Sequence, residues 1–201
     1  MADPVLTARR PIIVPADALV LLIGPAGSGK STFAKRHFPD EAIVSSDRFR
    51  GLLAGDEADQ RVTDAAFELL RMAVGHRLEA GLLTVVDATN LERLARATPL
   101  DLARRSHRPA VAIVFALPAE VCLLRNRSRP RVVRPTVVRR QIANLRHIRT
   151  DLESEGYAAI HIFGSESHVE SAAVLHQSPP VPLRVGEGTS EGPPEPARPP
   201  A

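Results

Sequence analysis

Residues 24–31 read Gly-Pro-Ala-Gly-Ser-Gly-Lys-Ser, a G-x-x-x-x-G-K-S pattern in which each residue type answers to a chemical task. Backbone N–H groups that turn inward on a phosphate need conformations closed to residues with a Cβ, which accounts for Gly24, Gly27 and Gly29. Ser28 completes the loop and Thr32 its exit. Lys30 can reach the β- and γ-phosphates of a nucleotide, and the Ser31 hydroxyl can ligate Mg²⁺. The residues after Lys30 read as a helix, and a helix N-terminus favours anions. The plain alternative is a Gly-rich turn that merely joins a strand to a helix. An uninterrupted apolar run, Ala18 to Ile23, stands in front and a helix behind, and that context favours phosphate binding.

Two carboxylates and a run of arginines extend the candidate site. Asp47 and Arg50 are three apart and share one face of a helical turn, where the bland account is a solvated ion pair. Asp87 closes a second apolar run, as a carboxylate near loop-bound Mg²⁺ or as a structural Asp. Between Val121 and Thr150 there is no acidic residue, and nine arginines occur. Charge runs are usually solvated faces. Thirty residues of one sign inside a folded domain call instead for an anionic partner, and arginines between two helices suit a lid that closes over a triphosphate.

The elements that position these groups alternate. Strands are predicted at 18–23, 42–45, 82–88, 110–117 and 158–163. Helices are predicted at about 30–37, 63–80, 92–107 with an interruption near Pro99, and 136–155. On the 63–80 helix Phe67, Leu70, Val74 and Leu78 form one buried face. This is an α/β chain of the P-loop NTPase kind: a five-stranded parallel sheet flanked by helices, with an Arg-rich helical lid. Residues 1–17, with three prolines, form an irregular lead-in; 18–176 the domain; 177–201 a Pro-rich disordered tail.

Composition limits the alternatives. Cys122 stands alone, which excludes a disulfide framework and a zinc spacing and reads as a small buried hydrophobe. No run reaches membrane-spanning length and no signal peptide is evident, so a cytoplasmic protein without membrane contact is expected.

The chain resembles the kinase module of bacterial polynucleotide kinase-phosphatase, a P-loop polynucleotide 5′-kinase. The likeness runs from about Ala18 to Phe163. It is carried by Gly24 to Phe38, Val44-Ser-Ser-Asp47-x-x-Arg50-Gly-Leu, Asp56-Glu-Ala-Asp59-Gln60 and Leu83-Thr-Val-Val-Asp87-Ala-Thr-Asn90. Val111 to Val114, Cys122-x-x-Arg125-Asn-x-x-Arg129, Val137-Val-Arg-Arg140, Glu155-Gly-Tyr157 and His161 complete it. The resemblance implies transfer of the γ-phosphate of ATP, with Mg²⁺, to a 5′-OH end of DNA or RNA. Asp47 would accept the proton of the attacking hydroxyl, Arg50 would bind the adjacent phosphate, and Arg125 and Arg129 would grip the γ-phosphate. Asp87 and Asn90 match the family's D-A-T-N segment. Ala58 stands where the family has Asn, and the stretch after Arg129 is one residue short, so no role passes to Arg131. A Pro-rich tail stands here in place of the family's phosphatase and nucleotidyltransferase modules, so that either the kinase acts alone, or its phosphatase or ligase partners are separate chains, or the acceptor has changed. A small-molecule kinase acting on a sugar or nucleoside hydroxyl, and a nucleotide-binding adaptor without phosphotransfer, are the two alternatives.

Overall fold

The structure, a computed structural model, describes residues 11–129 and 131–177. Strand β1 (Ile12–Pro15) precedes the apolar run, which forms β2 (Leu19–Ile23) with every residue buried. The chain continues through α1 (Lys30–His37), β3 (Ile43–Ser45), α2 (Ser46–Ala54), α3 (Thr63–Glu79), β4 (Thr84–Asp87) and α4 (Arg93–Arg105). Then come β5 (Ala110–Phe115), α5 (Ala119–Arg127), α6 (Pro135–Ala143), α7 (Ile148–Ser154), β6 (Ala159–Phe163), α8 (Glu166–Glu170) and β7 (Val174–Gln177).

Five strands make one parallel sheet in the order β3-β4-β2-β5-β6. A parallel sheet covered on both faces needs strands that are apolar on both, hence the unbroken hydrophobic runs. Leu19, Leu21 and Ile23 pack with Leu70, Val74, Leu100, Ile148 and Leu152 on one side. Val20 and Leu22 face the other, where Phe33 of α1 meets Phe115 and Phe163 at ring-centroid distances of 5.3 and 5.5 Å. The connection β4–α4–β5 crosses over β2, so the strand order reverses there. The crevice beyond the C-terminal ends of β2 and β4 is therefore where such a sheet binds ligands.

Several expectations change. The lead-in contains a strand: β1 pairs in parallel with β7, from Ile12 opposite Val174 to Pro15 opposite Gln177, in a separate two-stranded sheet. Ile12 and Val14 are buried against the α1 side of the core. Phe67 is 44% exposed, so it departs from the buried face of α3. Pro99 lies inside α4 without interrupting it, because Leu100 and Ala103 on that segment are held in the core. The 136–155 helix divides into α6, a 3₁₀ turn over Asn144–His147, and α7. The turn redirects its apolar face: Val138 and Ile142 pack with Cys122, whereas Ile148 and Leu152 pack on the sheet. The Pro-rich segment 178–201 and Pro130 lie outside the described residues.

Candidate active site

The loop between β2 and α1 is held in place before any ligand is considered. The Gly24 N–H donates to the Thr89 carbonyl at 3.0 Å. The Asn90 side chain, from a backbone at φ 48°, donates to the Leu22 carbonyl at 2.9 Å. The segment after β4 is thereby stitched to the strand that enters the loop. Behind it lies a buried ion pair, in which Arg96 donates to both oxygens of Glu155 at 2.8 and 2.6 Å. The remaining Arg96 nitrogen donates to the carbonyls of Asn90 and Leu91 at 3.0 and 2.7 Å. A buried charge pair stabilises only when its donors find partners, and each nitrogen of Arg96 has at least one.

Two glycines of the loop are needed for close approach. A Cβ on Gly27, at φ 79°, would lie 2.2 Å from the Cys122 carbonyl of α5. One on Gly29, at φ 93°, would lie 3.3 Å from the Arg125 guanidinium. The loop and the arginine-bearing helix are thus in contact. Gly24 has a different reason, since a Cβ there would meet Phe115 at 3.0 Å. Ser28 is fully buried, and neither it nor Gly24 lines the cleft.

The cleft has a volume of about 670 Å³. Gly27, Gly29, Lys30, Ser31 and Thr32 form one wall, and Asp47, Arg50, Asp87, Arg125, Arg129 and Arg131 are among the residues that line the rest. Lys30 Nζ donates to the carbonyls of Gly24 and Pro25, both at 2.8 Å, and burial lowers its ammonium to about 8. Asp87 opposes that shift and Arg129 adds to it. Ser31 and Thr32 are exposed in the first turn of α1, a turn without acidic residues. Asp47, in the first turn of α2, pairs with Arg50 and lies 3.5 Å from Arg131. Both contacts fall on Oδ1, which leaves Oδ2 without a side-chain partner among the described residues. Arg50 is buried, its Nε donates to the Glu57 carbonyl at 3.0 Å, and burial followed by Arg131 lowers its guanidinium below the ordinary value. Arg125 pairs with Glu166 of α8 at 2.5 Å. The Cys122 thiol is buried and raised by that burial, as a packing residue would be.

A family model described as an AAA domain matches residues 19–151. The chain belongs to this family. Within this AAA domain the match covers the loop, Asp47, Asp87 and all five cleft arginines. A curated relative, the transcription factor bHLH140 of Arabidopsis thaliana, is 35% identical over 108 residues, which are 54% of this chain and 11% of that protein. The AAA domain therefore spans about a tenth of the plant protein's length. A solved structure of the PezAT toxin-antitoxin system of Streptococcus pneumoniae superposes with a TM-score of 0.60 at 16% identity, over 84% of this chain and 74% of that one. A chain of the Pnkp1/Rnl/Hen1 RNA repair complex does so with a TM-score of 0.57 at 20% identity, over 71% of this chain and 47% of that one. These likenesses establish the P-loop fold.

Three groups escaped the sequence reading. Arg131, to which no role passed, reaches Asp47 from across the cleft. Gln141 of α6 accepts from the Ala26 N–H at 2.9 Å and so ties the phosphate loop to the Arg-rich segment. Asn126 is buried and closes the connection between α5 and α6, donating to the Val133 carbonyl at 2.7 Å and accepting from its N–H at 3.1 Å. Only the Asn126 position, inside the Cys122-x-x-Arg125-Asn segment, carried a signal.

Proposed function

We propose that this AAA domain is an ATP-dependent polynucleotide 5′-kinase that transfers the γ-phosphate of ATP to a 5′-OH end of DNA or RNA. The observation that carries the reading is one cleft lined both by a glycine-walled phosphate loop and by a carboxylate with a free oxygen. Mere nucleotide binding has no use for Asp47. In the proposed step Asp47 takes the proton of the 5′-hydroxyl as its oxygen bonds to the γ-phosphorus and ADP departs. Lys30, Arg125 and Arg129 neutralise the transferring phosphoryl group. Ser31 and Asp87 would hold Mg²⁺, which would supply positive charge to offset that of the triphosphate. One hydroxyl and one carboxylate suit a cation that takes its remaining ligands from phosphates and water. Polynucleotide as acceptor draws support from the sequence resemblance and from the exposed arginines of the lid segment: Arg127, Arg134, Arg139, Arg140 and Arg146. Phosphatase or ligase activities would complete end healing.

A small-molecule hydroxyl is the second reading. In its favour, of the nine arginines of the lid segment, Arg125, Arg129 and Arg131 line the cleft, enough for a triphosphate alone. Transfer of label from γ-labelled ATP, offered in parallel to 5′-OH oligonucleotides and to sugars and nucleosides, decides between them. Label on oligonucleotides is expected. Label confined to small compounds would replace the first reading by the second. Asp47→Asn is expected to lower transfer at least about a hundredfold, the usual contribution of a general base, with ATP affinity unchanged. Retained turnover would remove Asp47 as the base.

A further inference from the structure

A second cavity, of about 340 Å³, lies between α3 and α4. Phe67 and Ala88 line both this cavity and the cleft, so the two adjoin. Its wall is mostly apolar, with Leu70, Val74, Val86, Leu94 and Leu102, although Glu68, Arg71, Asn90 and Thr98 line it too. Two features of this wall serve no internal packing. Phe67 is 44% exposed on a helix whose Leu70, Val74 and Leu78 are buried, and Leu94 is 84% exposed. The aromatic contacts among the described residues gather Phe33, Phe38, Phe115, Phe163 and two histidines, while the Phe67 ring has none. Pro99 also lines the cavity and has no N–H for the carbonyl of Ala95, another lining residue, which leaves an acceptor without its helical donor.

We propose that this cavity takes the nucleobase of the nucleoside whose 5′-hydroxyl is phosphorylated, stacked on Phe67. The inference rests on the polynucleotide-kinase reading and names the acceptor's binding site. A hydroxyl and its base belong to one nucleoside, so a base must find its place close to the carboxylate that takes the proton. Phe67 and Asp47 line the same cleft. Phosphates and sugars gain nothing from an aliphatic wall, whereas every base has a π-face that an aromatic ring can meet. Stacking tolerates all four bases, so the pocket serves ends of any sequence.

The test uses the full chain, γ-labelled ATP, and two oligonucleotides identical except that one carries an abasic sugar at its 5′ end. On the unaltered protein the abasic end is expected to raise the acceptor KM by about tenfold or more, the loss of one stacked base. Phe67→Ala should raise KM for the base-bearing strand to a similar extent and leave the abasic strand where it was. Phe67→Trp should restore the difference. Equal KM for the two ends on the unaltered protein would overturn the pocket and leave the polynucleotide reading standing. Transfer to free nucleosides with the same Phe67 dependence, and to no oligonucleotide, would keep the pocket and overturn the polynucleotide acceptor. Transfer to neither would overturn both.

Discussion

Lys30 couples the phosphate site to pH. In the free protein, burial holds its ammonium at about 8 despite Asp87 nearby. Bound phosphates favour the charged form and raise the value, so nucleotide binding takes up a proton between the two pKa values. Below pH 8 the lysine is charged in both states and affinity is level. Above it, part of the binding free energy is spent on protonation, and ATP affinity should fall by up to about tenfold per pH unit. Calorimetric titration with ATP, from about pH 6.5 to about 9.5 in buffers of different ionisation enthalpy, reads both the affinity and the proton uptake. A level affinity across that range, with no proton uptake, would mean that Lys30 is not what meets the phosphates. The lysine was legible in the sequence because its partners are its neighbours in the chain. Arg131, Arg96 and Gln141 were not, since their partners stand 84, 59 and 115 residues away. No local spacing encodes a contact of that kind.

Among the elements, the contact between the phosphate loop and α5 determines whether the cleft has its arginines in place. Gly27 and Gly55 offer a matched comparison, at φ 79° and 73°. A Cβ on Gly27 meets the Cys122 carbonyl at 2.2 Å, while one on Gly55 meets nothing within 4 Å. Gly55→Ala should therefore cost only the left-handed backbone, roughly 1–2 kcal/mol. Gly27→Ala should add overpacking of about 1–3 kcal/mol and push α5 outward, weakening ATP binding as well. Denaturant unfolding of the two variants, with ATP titrations alongside, separates the terms. Equal destabilisation would show that the loop yields to α5 without loss. The regular elements were readable from their periodicity: all five strands of the main sheet, and α1 and α3 with close to their observed ends. Where the reading failed, tertiary packing had overridden local rules. Pro99 stays in a helix because the core holds the segment that follows it. The predicted helix at 136–155 divides because its two halves serve different hydrophobic clusters.

At the scale of the molecule, pairing between distant segments was the least legible feature. β1 and β7 are four residues each, they lie at opposite ends of the described chain, and β1 ends in a proline, so neither announces itself alone. Charge distribution, by contrast, survives the passage from sequence to structure. Arg149 pairs with Glu153, while Arg134, Arg139 and Arg140 lie at the start of α6 and along it, exposed and with no carboxylate partner among the described residues. Under the proposed function, the phosphates that follow an end seated in the cleft would need cationic partners, and these arginines are the candidates. Single-stranded nucleic acid releases about 0.7 counterion for each phosphate neutralised, so three lost contacts lower the slope of log affinity against log salt by about two. Arg134→Ala, Arg139→Ala and Arg140→Ala combined should show that drop in oligonucleotide binding, with the ATP affinity unmoved, because none of the three lines the cleft. A slope equal to that of the unaltered protein would mean that these arginines meet no phosphates. The acceptor would then be a molecule small enough to sit within the cleft.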